Sequence, residues 1–146
     1  MENPDIDILL VEDSPGDAQL VFKVLKKNNM AFRLHHVEDG AEALDFLFCK
    51  GKYASNSHHA RPKLVLLDLN LPKVGGIQIL SEIKANKKTK MIPVVILTNS
   101  AEKSDIAECY NNYANSYLVK PVDFFEFSNT LVTLCRYWLN MNRTAG

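Results

Sequence analysis

The chain has 146 residues, enough for one well-filled core and too few for two ordinary domains. Seventeen basic residues balance seventeen acidic ones, so the net charge offers nothing to a polyanion such as nucleic acid or to an anionic membrane. Its apolar runs stop at four or five residues, against roughly 20 for a bilayer span. The start, Met1-Glu2-Asn3-Pro4-Asp5, lacks the basic-then-apolar pattern of a signal peptide, so a cytoplasmic protein is expected.

The run Ile8-Leu9-Leu10-Val11 predicts a first strand near residues 6–12, ending in Glu12-Asp13. Ser14 is placed to cap a helix with Pro15 at its first position, and Leu20, Val21, Val24 and Leu25 share one face of it. A second strand is predicted near 32–37, then a turn at Asp39-Gly40 and a helix with Ala41, Leu44, Leu47 and Phe48 on one face. From Cys49 to Arg61 runs the one long polar connection, with Lys50, Gly51, Ser55, Asn56 and His58-His59. Leu64-Val65-Leu66-Leu67 predicts a third strand near 63–68, closed by Asp68 and the turn Leu69-Asn70-Leu71-Pro72. Gly75-Gly76 leads into a helix carrying Ile77, Leu80 and Ile83.

Pro93-Val94-Val95-Ile96-Leu97 falls in a fourth strand, 92–98, ending in Thr98-Asn99-Ser100, and the next helix presents Ile106, Tyr110 and Tyr113. Tyr117-Leu118-Val119 belongs to a fifth strand, 115–119, ending in Lys120-Pro121. Asp123 and Glu126 form a capping-box pattern before the last helix. Phe124, Phe127, Leu131, Leu134 and Trp138 make a core stripe there. Phe125, Val132 and Leu139 repeat every seven residues along a second, a candidate interface, most simply with another copy of the chain.

Strands apolar at every position are covered on both faces, which belongs to a parallel sheet flanked by helices. The alternation therefore predicts an α/β fold, a (βα)5 unit with right-handed crossovers in a single domain, without repeats. About eight residues follow Trp138, too few for an output domain. Cys49, Cys109 and Cys135 are odd in number and far apart, so reduced thiols inside helices are expected. His58-His59 lacks a third ligand nearby and is read as an exposed pair.

In open parallel sheets ligands gather at the carboxyl ends of the strands. Here those ends carry Glu12-Asp13, Asp68, Thr98 and Lys120. Three carboxylates in one cleft repel one another unless a cation or raised pKa values relieve them, and hard oxygen ligands favour magnesium, manganese or calcium over zinc. A hydroxyl and an ammonium at the same edge suit a phosphoryl group. An X-Pro bond is the type that readily turns cis, and a cis Lys120-Pro121 bond could aim the lysine inward.

Taken in this order at their strand ends, Glu12-Asp13, Asp68, Thr98 and Lys120-Pro121 resemble the receiver domain of two-component response regulators, the chemotaxis-type fold. The resemblance runs from about Ile6 to Trp138. The segments Leu10-Val11-Glu12-Asp13-Ser14 and Leu67-Asp68-Leu69-Asn70-Leu71-Pro72 are most similar to the single-domain regulators paired with bacterial phytochromes and related histidine kinases.

The resemblance implies a doubly wound sheet of strand order 2-1-3-4-5 and a phosphoryl group carried on Asp68, received from a sensor histidine kinase. It implies magnesium, with manganese possible, held by Asp13, Asp68, the Asn70 carbonyl and waters, with Glu12 acting through a water. Thr98 and Lys120 would each take a phosphoryl oxygen, and inward movement of Thr98 would let Tyr117 rotate. That movement would alter a surface of the fourth helix, fifth strand and fifth helix, open to a homodimer, a downstream protein or a phosphotransfer protein.

Two other functions use similar residues. Phosphatases of the haloacid-dehalogenase type need an aspartate two residues after the nucleophile as general acid, and that position is Asn70. A flavodoxin-like binder needs a phosphate-cradling loop after the first strand, where Glu12-Asp13 would repel the phosphate. A receiver that works without phosphorylation would be expected to lack one of the site residues, and all are present.

Overall fold

The computed structural model describes residues 6–56 and 61–145. His58 and His59 lie outside the described residues. Five parallel strands, β1 (Ile8–Val11), β2 (Leu34–Val37), β3 (Leu64–Leu67), β4 (Val94–Thr98) and β5 (Ser116–Val119), form one sheet in the order β2-β1-β3-β4-β5. Between and after them run α1 (Pro15–Lys27), α2 (Gly40–Leu47), α3 (Gly76–Ala85), α4 (Lys103–Asn111) and α5 (Phe124–Cys135). A 3-10 helix, Gly51–Asn56, follows α2, and a π-helical turn, Arg136–Met141, extends α5. The predicted fold class and strand order are those observed.

Side chains alternate across each strand, and in the central strands β1, β3 and β4 both sets are buried, while the edge strands β2 and β5 are mostly half-buried. Leu9, Val11, Val65 and Leu67 face a core layer shared with α2, α3 and α4; Ile8, Leu10, Leu64 and Leu66 face a second layer shared with α1 and α5. Ser14 accepts from the Asp17 N–H at the head of α1, Asp39 from Glu42 at α2 and Asp123 from Glu126 at α5. Each bond satisfies a donor the helix itself leaves open.

Several predicted faces shift. In α2 the buried residues are Gly40, Ala43, Phe46 and Leu47, so Leu47 holds its predicted place while Ala41, Leu44 and Phe48 are only half-buried. Gly40 fixes that face, because a Cβ there would fall 2.6 Å from the Val74 carbonyl oxygen. In α4 only Cys109 is buried, while Tyr110 and Tyr113 are exposed. Cys49, expected inside a helix, lies beyond the end of α2 with φ +56°, and Cys109 and Cys135 are fully buried within α4 and α5.

In α5 Val132 is buried and Leu139 packs against the α1 and α5 layer, so these two of the three interface candidates belong to the core. Residues advance about 100° each around a helix, so the arc that buries Leu131 and Cys135 also takes in Val132. Burial in α5 begins only at Phe127. Phe124, expected in the core, is 39% exposed and Phe125 75%.

One cation ties the sheet's amino-terminal edge together. Lys84 of α3 donates to the Ile92 carbonyl (2.9 Å), the Lys90 carbonyl (3.2 Å) and Asn115 Oδ1 (2.9 Å). Asn115 Oδ1 also accepts from the Val94 N–H at 2.8 Å.

Candidate functional site: an acidic pocket closed by Lys120

Strand register assembles the site. Val11 pairs with Leu67, so Glu12 and Asp68 leave their strands side by side; Thr98 pairs with Val119, so Lys120 emerges beside it. Backbone bonds extend that order past the strand ends, from Asp68 N–H to the Val11 carbonyl (3.2 Å) and from Lys120 N–H to the Thr98 carbonyl (2.7 Å). The start of α3 presses on the same backbone. A Cβ at Gly76 would lie 2.6 Å from the Asp68 carbonyl oxygen and from Leu69 Cα, so only glycine fits.

Lys120 Nζ sits among three carboxylates, 2.5 Å from Glu12 Oε1, 3.0 Å from Asp68 Oδ2 and 3.1 Å from Asp17 Oδ2. An ammonium has three hydrogens, so each has an acceptor. Burial alone would push the Lys120 pKa down, but the bonds to Glu12 and Asp68 outweigh it and hold the ammonium above its ordinary range. For Glu12 burial prevails and raises its carboxyl, with Lys120 offsetting part of the effect. Lys120–Pro121 is trans, as is every peptide bond among the described residues, which corrects the cis expectation. The lysine's four-carbon stem carries Nζ inward without it.

Glu12 and Asp68 are buried and Asp13 is exposed, yet each offers an oxygen within 4.8 Å of the others. That all-oxygen donor set fits a hard divalent cation. Neighbouring N–H groups orient the two buried carboxylates: Asn70 donates to Asp68 Oδ1 at 3.1 Å and Ser14 to Glu12 Oε2 at 3.2 Å. A small cavity lies beside the ion cluster, bordered by Glu12, Asp17, Asp68, Lys120 and apolar side chains of the α1 and α5 layer.

Thr98 is fully buried, and its Oγ1 accepts from Ser100 N–H at 3.4 Å. Tyr117 is half-buried in the α2, α3 and α4 layer, with its hydroxyl donating to the Ser100 carbonyl at 2.8 Å. Ser100 in turn donates its hydroxyl to Asp105 Oδ2 at 2.5 Å. The two candidate switch residues are thus linked through Ser100 to the first turn of α4.

Glu12, Asp13, Asp68, Asn70, Thr98 and Lys120 all gather at one edge, as their strand ends predict. Sequence reasoning missed Asp17 and His36. Asp17 is the third residue of α1, the helix that starts directly after the Ser14 cap following Glu12-Asp13, which is the signal that could have found it. His36 Nε2 donates to the Glu12 carbonyl at 2.7 Å, and nothing in the pattern of β2 marks that bond.

A parallel β2-β1-β3-β4-β5 sheet with an acidic cluster, a hydroxyl and a lysine at its carboxyl edge is the arrangement of a signalling receiver. Residues 8–131 match the response regulator receiver domain, and the chain belongs to that family. It is 41% identical to the response regulator Rcp1 of Synechocystis sp. over 137 residues, spanning 94% of this chain and 91% of Rcp1. It is 39% identical over 145 residues to the probable methanogenesis regulatory protein FilR2 of Methanothrix harundinacea, spanning 99% and 90%. The phosphorylated cyanobacterial phytochrome response regulator RcpA superposes with a TM-score of 0.89 at 34% identity, over 98% of this chain and all of RcpA. The Mn2+-bound form of Rcp1 superposes with a TM-score of 0.88 at 38% identity, over 98% of this chain and all of that structure.

Proposed function

We propose that the chain is a stand-alone phosphoacceptor of a two-component pathway, taking a phosphoryl group from the phosphohistidine of a sensor histidine kinase onto Asp68. The observation that carries this reading is the triple contact of Lys120 with Glu12, Asp68 and Asp17 beside the acidic triad, with Thr98 on the neighbouring strand. An Asp68 oxygen forms the new O–P bond as the P–N bond to the kinase imidazole breaks, the electron pair leaving with the ring. Lys120 and the Thr98 hydroxyl donate to phosphoryl oxygens and hold them in line. Asp13, Asp68 and the Asn70 carbonyl would hold a divalent cation, with Glu12 acting through a water, and the cation would supply neutralising charge; magnesium is expected and manganese could substitute.

RcpA and Rcp1 support the reading, the first solved phosphorylated and the second with manganese. Turnover of an external substrate is not expected, because Asn70 has no carboxyl proton to give. Output passes to another protein, downstream regulator or phosphotransfer partner, by way of Thr98, Tyr117 and Ser100. Exposed Tyr110, Val119, Val122 and Phe125 make the surface of α4, β5 and the head of α5 the candidate for that contact or for a homodimer. No helix among the described residues is long and apolar enough to cross a membrane, and a cytoplasmic site of action follows from the proposed kinase partner.

Incubation with acetyl phosphate, with and without magnesium, on wild type and Asp68→Asn, scored by intact mass, tests this. One added phosphoryl group requiring both Asp68 and the cation is expected. A wild type that gains none at any magnesium concentration, or an Asp68→Asn variant that still gains one, overturns it.

A further inference from the structure

We infer that Asp17 is a reversible counter-ion for Lys120 that competes with the incoming phosphoryl group for one of the ammonium's three hydrogens. The inference rests on the phosphoacceptor reading above and assigns a role to a carboxylate outside the acidic triad. Ser14 places it. The Ser14 N–H donates to Glu12 Oε2 while Ser14 Oγ accepts from the Asp17 N–H at 3.2 Å, so one residue sets two of the three partners of Lys120.

The three partners are unequal. Glu12 binds Lys120 at 2.5 Å with its side chain 5% exposed, and Asp68, 8% exposed, is the acceptor itself. Asp17 lies at 3.1 Å with its side chain 42% exposed. A phosphoryl oxygen that is to be gripped by Lys120 needs a hydrogen, and all three are engaged. Releasing Glu12 would strand a buried carboxylate, which is costly. Releasing Asp17 leaves a carboxylate that water can solvate at small cost.

Charge points the same way. Glu12, Asp13, Asp17 and Asp68 against Lys120 leave four negative charges and one positive, a formal −3, and Asp17 contributes one of those negatives at the solvent-open side of the lysine. It therefore opposes an anionic donor on approach and draws Lys120 back once the phosphoryl group has gone. Asp17 is a positioning residue, acting through Lys120 and forming no bond to phosphorus.

The test follows phosphoryl uptake from acetyl phosphate by intact mass in wild type, Asp17→Asn, Asp17→Ala and Asp17→Glu, at fixed magnesium and two salt concentrations, with Asp68→Asn as control. In this reaction an Asp68 oxygen bonds phosphorus as the P–O bond to acetate breaks, acetate leaving with the electron pair. Asp17→Asn and Asp17→Ala are expected to load about two- to five-fold faster, the size of one exposed ion pair, with the gain shrinking at high salt. After donor removal both should keep the group longer, while Asp17→Glu, which retains the charge, stays within about two-fold of wild type. Loading at or below the wild-type rate in both Asp17→Asn and Asp17→Ala overturns the inference and leaves the phosphoacceptor reading standing. A wild type that takes no phosphoryl group, like Asp68→Asn, overturns both.

Discussion

α1 and α4 flank the same sheet and are held in different ways. α1 buries Ala18, Val21, Val24 and Leu25 and is capped by the Ser14 hydroxyl. α4 buries Cys109 alone, and its cap residue Glu102 makes no side-chain bond; its head is tethered through Asp105 to Ser100 instead. Burial fixes a helix by area, whereas one polar tether fixes it only while its partner stays put. The helix wired to Thr98 and Tyr117 is thus the one with least to lose by moving.

Core truncation gives the largest test of this contrast. Leu25→Ala in α1 should lower stability by about 3 kcal/mol and the melting midpoint by about 10 °C. Ile106→Ala in α4, where the side chain is only half-buried, should cost about 1 kcal/mol in the same melts. Equal losses would erase the distinction between the two helices.

Acidification separates the sheet edge from both. His35 on β2 stacks on Phe46 at 4.6 Å, and its Nε2 lies 2.9 Å from the Tyr53 hydroxyl, which donates to Glu42. Burial depresses its pKa below 6.5, with nearby Lys52 and His36 adding to that and Glu42 opposing it. The unfolded chain therefore binds the proton first, and stability present above pH 6.5 is lost as pH falls through the lower folded value. Denaturant midpoints should fall across that window in wild type and stay flatter in His35→Phe. A matching slope in both would remove His35 as the cause.

The smallest expected effect is a gain. Tyr113 follows α4 at φ +68°, with Ala114 N–H bonded to the Cys109 carbonyl, a helix ending that favours glycine. Tyr113→Gly should stabilise by about 0.5 kcal/mol in chemical denaturation, since relief of the left-handed strain exceeds the added freedom of the unfolded chain. A loss of stability would mean that the tyrosine ring holds α4 after all.

The sheet and the acidic edge were legible because continuous apolar runs ending in polar residues leave little freedom: burial on both faces forces the parallel sheet, and chain order places Glu12, Asp68, Thr98 and Lys120 at one edge. Helix faces were less legible. Ala41 and Leu44 fit the period as well as Ala43 and Phe46, and only the close approach of Gly40 to Val74 decides between them. The fifth-helix stripe misled for a related reason, since Val132 lies near enough to the core arc for the sheet to claim it. Asp17 and His36 escaped because their partners, Lys120 and the Glu12 carbonyl, are distant in sequence.

The Lys84 clamp makes α4 a lever with its fulcrum at the far end from the pocket. Asn115, just after the helix, is pinned by Lys84 and by the Val94 N–H, whereas the opposite end hangs on the hydroxyl of Ser100. A nine-residue helix is about 13 Å long, so a tilt of about 10° about the pinned end would sweep the head by roughly 2 Å and leave the foot almost still. Amide exchange compared before and after phosphoryl loading should then change at Asp105 and Ile106 and stay constant at Ala114 and Asn115. Uniform change along α4 would mean that the helix shifts as a block.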